Sequence, residues 1–234
     1  MKEFRIFGLR RSGNHTIIEW IAAHFNYVIH YNDCWGWESP DWFKQLSYGS
    51  PKEDLGCRIY SYEDFEPSKD ELKNPSTILI LRDWYNMSAS RVASGRGLDS
   101  ARYPHQKTNN RDCEEVWLKY AEFAQKFPNK IILFNEIINN PTYQESIRQN
   151  LGLLGDIKFP TELPATKFGN GSSFPNEPLE PNSLNSRIKV LKKQDLASYK
   201  KITQEVSPAV HDYCDKLFGW SERAKQTKKR GSIR

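Results

Sequence analysis

Residues 4–16 of the chain read Phe4-Arg5-Ile6-Phe7-Gly8-Leu9-Arg10-Arg11-Ser12-Gly13-Asn14-His15-Thr16. The apolar run at the start predicts a short strand, the two glycines predict a tight loop, and the residues after Gly13 predict the start of a helix. Such a loop directs backbone N–H groups at one point, and the helix behind it adds the positive end of its dipole. The stretch therefore predicts a phosphate-binding loop at the start of an α/β fold.

The charges of this loop are not those of a nucleoside triphosphatase. The four residues between its two glycines match the first part of a Walker A loop, which continues with Lys and then Ser or Thr. This chain has Asn14 and His15 at those positions, and its positive charges lie upstream at Arg10 and Arg11. The loop is therefore predicted to bind a phosphate other than the Mg²⁺-bound β- and γ-phosphates of ATP.

Further strands and helices alternate along the chain. The predicted strands are Phe4–Leu9, Tyr27–Tyr31, Arg58–Tyr62, Ser76–Leu81 and Lys130–Asn135. The predicted helices are His15–Phe25, Tyr85–Ala93, Cys113–Phe127, a helix from Asn140 to Gly152, Lys193–Ile202 and Pro208–Phe218. Some strands are continuously apolar, as expected for strands covered on both faces. The alternation predicts a three-layer α/β fold with a parallel central sheet flanked by helices.

Length and composition predict one folded domain. The chain has 234 residues, of which 38% are hydrophobic and 13% aromatic, and this composition excludes a disordered chain. One α/β domain over residues 1–222 is predicted. Residues 223–234 are rich in Lys and Arg and have no apolar periodicity, so they predict a flexible basic tail.

The cysteines and the N-terminal residues bear on the cellular compartment. The four cysteines are widely spaced and form no CxxC or Cys/His pattern, so we expect reduced thiols and no metal site. Residues 1–7 do not resemble a signal peptide, and no apolar run approaches the roughly 20 residues that span a bilayer. We therefore expect a cytoplasmic protein with no transmembrane segment and no nucleic-acid partner; the sequence leaves the oligomeric state open.

A second phosphate-binding feature follows the strand Ser76–Leu81. Ligands of open α/β sheets bind at the carboxyl ends of the strands. Arg82 ends this strand, and Ser90 follows eight residues later within the next helix. A guanidinium group and a hydroxyl group placed in this way can bind a second phosphate.

A third feature lies in residues 155–187, which are rich in Pro, Gly and Ser. An irregular segment of this length is usually either functional or disordered. Within it, the backbone of Gly171, Ser172 and Ser173 can close over a bound anion.

Together these motifs resemble the sulfotransferases that use 3′-phosphoadenosine 5′-phosphosulfate (PAPS). In that family a Lys/Arg-Ser-Gly-Thr-Thr loop holds the 5′-phosphosulfate, and the matching residues here are Arg11-Ser12-Gly13-Asn14-His15. An Arg at the end of a buried strand and a Ser eight residues later hold the 3′-phosphate, which corresponds to Arg82 and Ser90. A softer match is Leu133-Phe134-Asn135-Glu136, where the family often has a Tyr-Glu pair.

The resemblance implies a P-loop sulfotransferase-like fold and transfer of a sulfuryl group from PAPS to a hydroxyl or amine. It implies a small-molecule or saccharide acceptor and 3′,5′-adenosine bisphosphate as the product, and it requires no metal. Arg11 would stabilise the charge on the leaving phosphate. The nucleotide would be held by Arg11, Ser12, Gly13, Asn14, His15, Thr16, Arg82, Ser90, Gly171, Ser172 and Ser173.

The sequence leaves open which residue takes the proton of the acceptor. Asp33 follows the second predicted strand, 22 residues past Arg11, a spacing similar to that of the catalytic Glu in some glycan sulfotransferases. Glu63 follows the third strand, near the position of the catalytic His in the small-molecule branch of the family. His15 and Glu19 are further candidates.

Two other functions are consistent with the same residues. Asp83 follows an apolar strand, as a Walker B acid does, and this position keeps a P-loop kinase or nucleoside triphosphatase open. A nucleotide-binding relative without catalytic activity is the third interpretation.

Overall fold

The computed structural model describes residues 1–32, 34, 44–49, 56–95, 98, 113–160 and 187–220. Within these ranges the strands are β1 (Lys2–Gly8), β2 (Tyr27–Asn32), β3 (Lys44–Gly49), β4 (Gly56–Glu63), β5 (Thr77–Leu81) and β6 (Ile131–Leu133). The helices are α1 (Asn14–Ala23), α2 (Lys69–Lys73), α3 (Trp84–Ala93), α4 (Cys113–Lys126), α5 (Phe134–Ile137), α6 (Pro141–Asn150), α7 (Arg187–Gln194), α8 (Leu196–Gln204) and α9 (Pro208–Phe218).

The strands form one sheet in the order β3-β2-β4-β1-β5-β6. Neighbouring strands pair in parallel, except that β3 runs antiparallel to β2 at the edge. The carboxyl ends of β1, β4 and β5 therefore meet at one edge of the sheet, where Gly8 pairs with Glu63 on one side and with Ile80 on the other. After β1 the chain forms β2, β3 and β4 on one side of that strand and then β5 and β6 on the other side. Ligands of open α/β sheets bind at the point where the strand order reverses in this way.

Apolar layers cover both faces of the sheet. All five residues of β5 are buried, and Ile78 and Ile80 belong to one apolar cluster while Leu79 and Leu81 belong to a second. Because alternate side chains of a strand point to opposite faces, the two clusters are the two layers beside the sheet. Residues of α1, α5 and α6 lie in the first cluster, and residues of α3, α4, α7, α8 and α9 lie in the second.

The predicted α/β class, with a parallel sheet flanked by helices, is confirmed. Each of the five predicted strands is present with bounds shifted by at most two residues. The strand β3 was not predicted. Its ladder partner is β2 alone, and its sequence Lys-Gln-Leu-Ser-Tyr-Gly mixes polar and apolar residues as edge strands often do.

The helix predicted over Lys193–Ile202 is wrong in its bounds. The structure has two helices there, α7 and α8, which Asp195 separates. Asp195 has an extended backbone, and its side chain accepts a hydrogen bond of 3.0 Å from the backbone N–H of Ser198, so it caps α8.

The helix predicted from Asn140 is confirmed together with its cap. The Asn140 side chain accepts a hydrogen bond of 3.1 Å from the backbone N–H of Tyr143, and Pro141 occupies the first helical position. Gly95 lies beyond the end of α3 with a φ of 71°, as expected for a glycine after a helix.

The four cysteines are buried free thiols. Burial raises the pKa of Cys57 to about 12. Over the described ranges, no three His, Cys, Asp or Glu side chains are grouped as metal ligands would be. None of the helices in those ranges combines the length and the apolar character needed to cross a membrane.

Candidate functional site

The loop between β1 and α1 has the backbone of an anion-binding concavity. Arg11 has a φ of 75° and Gly13 a φ of 89°, so two residues of the loop adopt left-handed conformations. The N–H of Ser12 donates a hydrogen bond of 3.0 Å to the carbonyl of Leu9, which closes the turn. Left-handed residues among right-handed ones direct successive N–H groups to one point. A non-glycine residue with this backbone is uncommon, and such residues are concentrated at ligand sites.

The polar groups of this loop fit a bound anion. Gly13 is the N-cap residue of α1 and supplies no side-chain cap, so it leaves the first N–H groups and the positive end of the helix dipole available to an anion. Ser12 is fully buried, and its hydroxyl has no hydrogen-bond partner among the described residues. A buried hydroxyl without a partner costs about 1–3 kcal/mol, and this one is a candidate contact for a bound anion.

Close contact with Phe134 requires a glycine at position 13. A Cβ added to Gly13 would lie 2.0 Å from the Cε2 atom of Phe134 in α5. Phe134 also lies beneath the guanidinium of Arg82, whose Cζ is 5.4 Å from the ring centroid. The packing that fixes the loop therefore also contacts the residue at the end of β5.

We expect Gly13→Ala to lower the free energy of unfolding by about 2–4 kcal/mol. The left-handed backbone contributes about 1–2 kcal/mol of this loss, and the displaced Phe134 ring contributes the rest. Urea denaturation measures the change. Gly219→Ala is the matched control, because Gly219 has a φ of 61° but no atom within 4 Å of the added Cβ. Equal losses in the two variants would contradict the packing role of Gly13.

Asn14 braces the loop from inside. Its Nδ2 donates hydrogen bonds to the carbonyl of Leu9 at 3.2 Å and to Oε1 of Glu63 at 3.3 Å. The side chain lies directly against Gly8, where an added Cβ would be 2.0 Å from Oδ1 of Asn14. Asn14 thus links β1, the loop and the end of β4. These contacts give a physical reason for an Asn at a position where the family that the loop resembles has Thr.

Glu63 lies at the centre of the polar contacts around the loop. Its Oε2 accepts a hydrogen bond of 3.1 Å from Nε of Arg10, and its Oε1 is 3.5 Å from Nε2 of His15. The Glu63 side chain is 13% exposed and that of His15 is 23% exposed, so solvent reaches both. The carboxylate offsets the charge of Arg10. Glu63 is therefore placed against the loop, whereas Asp33, another predicted base, lies outside the described residues.

Arg82 joins the end of β5 to the loop. Its Nη1 donates a hydrogen bond of 3.0 Å to the backbone carbonyl of Arg11. The side chain is 3% exposed, and Nε1 of Trp117 donates to the Arg82 carbonyl at 2.9 Å. Burial lowers the pKa of Arg82 to about 10. The Asp83 carboxylate acts against this lowering, and the positive charge of Arg187 adds to it. Arg82 therefore remains a cation at neutral pH.

Arg187 is a buried arginine near Arg82 that the sequence analysis did not single out. It begins α7, is 1% exposed, and lies close enough to Arg82 for its charge to lower the pKa of that guanidinium. The backbone N–H of Ile188 donates a hydrogen bond of 3.1 Å to Oδ1 of Asn86, which anchors the start of α7 on α3. Both guanidinium groups are buried and positively charged, and a bound anion would offset that charge. No local sequence motif marks Arg187.

Asp83 caps the N-terminus of α3. It is fully buried, and its Oδ1 accepts hydrogen bonds of 3.0 Å from both the backbone N–H and Nδ2 of Asn86. Its Oδ2 accepts a hydrogen bond of 2.7 Å from Nδ2 of Asn135. Both carboxylate oxygens are thus engaged within the protein, in the arrangement of a side chain that starts α3.

The remaining predicted residues fall into two groups. Ser90 is buried on α3, and Thr16 and Glu19 are half-buried on α1. Asp33, Gly171, Ser172, Ser173 and the tail 223–234 lie outside the described residues. The structure thus brings the loop, Glu63 and Arg82 into direct contact, with Ser90 on the helix that follows Arg82.

No protein-family model matches this chain, and no curated protein matches its sequence. Its function is therefore argued from the residues themselves.

Proposed function

We propose that this protein is a sulfotransferase that moves a sulfuryl group from PAPS to a hydroxyl or amine of an acceptor. The observation that carries the proposal is the contact between Arg82 and the backbone carbonyl of Arg11. It joins a guanidinium at the end of β5 to a phosphate loop at the end of β1. A nucleotide with phosphates on both the 5′ and the 3′ positions can bind the loop and the guanidinium at the same time, whereas ATP has no 3′-phosphate.

The residues at both positions suit phosphate groups. The loop offers the uncapped start of α1 and the buried hydroxyl of Ser12 to the 5′-phosphosulfate. Arg82 and Arg187 offer buried positive charge to the 3′-phosphate, together with Ser90 on α3. The closure role of Gly171, Ser172 and Ser173, which lie outside the described residues, stays a prediction.

The reaction proposed is a direct displacement at sulfur. The acceptor oxygen or nitrogen forms a bond to sulfur while the bond from sulfur to the bridging phosphate oxygen breaks, and the electron pair stays on that oxygen. Arg11, the loop N–H groups and the dipole of α1 stabilise the charge that develops there. These groups supply the positive charge, so the scheme includes no metal ion.

The acceptor proton passes to Glu63 in this proposal. Glu63 follows β4, beside the carboxyl end of β1, and contacts Arg10, Asn14 and His15. A general base must lie within reach of the proton that it takes, and Glu63 is the predicted carboxylate next to the loop. Asp33, His15 and Glu19 remain the alternatives.

A kinase or nucleoside triphosphatase is a weaker proposal. The Walker lysine is replaced by Asn14, which braces the loop, and both oxygens of Asp83 are engaged by Asn86 and Asn135.

The cytoplasmic location and the saccharide or small-molecule acceptor stay predictions.

Arg82→Ala is expected to weaken the binding of 3′,5′-adenosine bisphosphate by about 1.5–3 kcal/mol, because a hydrogen bond to a charged group contributes that much. Isothermal titration calorimetry measures the change. Arg58→Ala removes the same charge from an exposed position on β4 and serves as the control. An unchanged affinity in folded Arg82→Ala would place the 3′-phosphate elsewhere.

The proposal is tested by incubating the protein with sulfur-labelled PAPS and a panel of saccharide, phenol, alcohol and amine acceptors. Label transferred to an acceptor supports the proposal. Tight binding of the bisphosphate without transfer to any acceptor in the panel would instead favour the nucleotide-binding relative without catalytic activity.

A further inference from the structure

Asp64 connects three elements that surround the phosphate loop. Its Oδ1 accepts a hydrogen bond of 2.8 Å from the backbone N–H of Arg10 and another of 2.9 Å from Nη1 of Arg91 on α3. Its Oδ2 is 3.2 Å from the same Nη1. Its own N–H donates to the carbonyl of Gly8, at the end of β1, at 3.0 Å. One residue after β4 thus contacts the end of β1, the loop and α3.

This connection is buried and its backbone is unusual. The side chains of Asp64 and Arg91 are each 2% exposed, so the ion pair is shielded from solvent. Asp64 has a φ of 58°, a left-handed conformation that Asp and Asn tolerate better than most residues. A buried charge pair holds its partners in one geometry, because breaking it leaves an uncompensated charge.

Arg10 and Arg91, the two arginines that contact Asp64, are each adjacent in sequence to a proposed phosphate-binding residue. Arg10 immediately precedes Arg11 of the loop, and Arg91 immediately follows Ser90 on α3. One carboxylate therefore accepts hydrogen bonds from the backbone N–H of the residue before Arg11 and from the side chain of the residue after Ser90. Any shift of the loop relative to α3 would have to stretch these hydrogen bonds.

On the premise of the proposed function, we propose that Asp64 is a positioning residue that sets the distance between the two phosphate-binding groups. It contacts the loop backbone and Arg91 and acts through Arg11 and Ser90. The loop and α3 then match the separation of the 5′- and 3′-phosphates of one nucleotide. Binding of the 3′-phosphate therefore depends on a residue that does not itself contact it.

The test uses a double variant, Asp64→Asn with Arg91→Met. Asp64→Asn alone removes a buried counter-charge of Arg91 and endangers folding. The double variant removes both charges, Met fills much of the volume of Arg, and Asn accepts the left-handed backbone at position 64. The probes are 3′,5′-adenosine bisphosphate and adenosine 5′-phosphate, which differ only in the 3′-phosphate.

The measured quantity is the ratio of the two dissociation constants, that of adenosine 5′-phosphate over that of the bisphosphate. In the unmodified protein this ratio is expected to be about 10- to 100-fold, because the 3′-phosphate forms charge-assisted hydrogen bonds. In the double variant the ratio is expected to fall by about tenfold, within the usual range of coupling between two sites. Arg91→Lys, which keeps the charge but loses the planar fork, is expected to lower the ratio by a smaller factor.

The control separates positioning from a general loss of stability. Val210→Ala removes buried volume on α9, outside the site, and is expected to lower stability while leaving the ratio unchanged. A folded double variant with the ratio of the unmodified protein would overturn the inference, as would an equal fall in Val210→Ala. A ratio near one in the unmodified protein would instead overturn the proposed 3′-phosphate site itself.

Discussion

Glu63→Gln is expected to lower kcat for sulfuryl transfer by about 10²–10⁴-fold, the usual contribution of a general base. The variant keeps the size of the side chain and an oxygen that can accept from Arg10, but it removes the carboxylate that takes the proton. Affinity for 3′,5′-adenosine bisphosphate is expected to stay close to that of the unmodified protein. Initial rates at saturating PAPS and acceptor measure kcat, and calorimetry measures the affinity.

Asp33→Asn makes the same chemical change at the alternative base and is the matched comparison. If Glu63 is the base, Asp33→Asn retains most of kcat. A Glu63→Gln variant with undiminished kcat, beside a large loss in Asp33→Asn, would assign the proton transfer to Asp33 and contradict the role given to Glu63.

Arg11→Ala is expected to lower kcat by about 10²–10³-fold, the loss typical of removing one group that stabilises developing charge. Arg and Ala both carry a Cβ atom, so a φ of 75° strains the two residues equally and the loop backbone need not change. The hydrogen bond from Arg82 ends on the Arg11 carbonyl, which the variant retains. The substitution thus removes the charge of the side chain and keeps the backbone carbonyl that Arg82 contacts.

The transition-state role of Arg11 appears as a difference between two constants. Affinity for PAPS is expected to fall much less than kcat, because the charge on the bridging oxygen develops during transfer. Arg11→Lys keeps a positive charge and is expected to recover part of kcat. Equal losses in donor affinity and in kcat would mean that Arg11 only binds the donor.

The α/β class could be predicted because its signals are local. The apolar run Thr77–Leu81 contains residues for both faces of a buried strand, and all five of its side chains are buried. The start of α6 was predicted because Asn140 and Pro141 together mark a helix start. By contrast, β3 has the mixed composition of an edge strand, and the cap residue Asp195 was read as part of a helix interior.

The loop between β1 and α1 could also be predicted, but the contacts that fix it could not. The glycine spacing and the two arginines are adjacent in sequence, whereas Asp64 and Arg91 are 27 residues apart and Arg82 lies 71 residues from Arg11. No single-sequence pattern indicates such pairs. The role of Asn14 was equally hidden, because it depends on the absence of a side chain at Gly8 and on the position of Glu63.

Whether the site binds a nucleotide with phosphates on both the 5′ and the 3′ positions is tested most directly by titrating the full chain with 3′,5′-adenosine bisphosphate and with ATP, each with and without Mg²⁺. The two phosphate-binding groups predict tight binding of the bisphosphate that does not depend on Mg²⁺. Binding of ATP that requires Mg²⁺, with no binding of the bisphosphate, would contradict the claim.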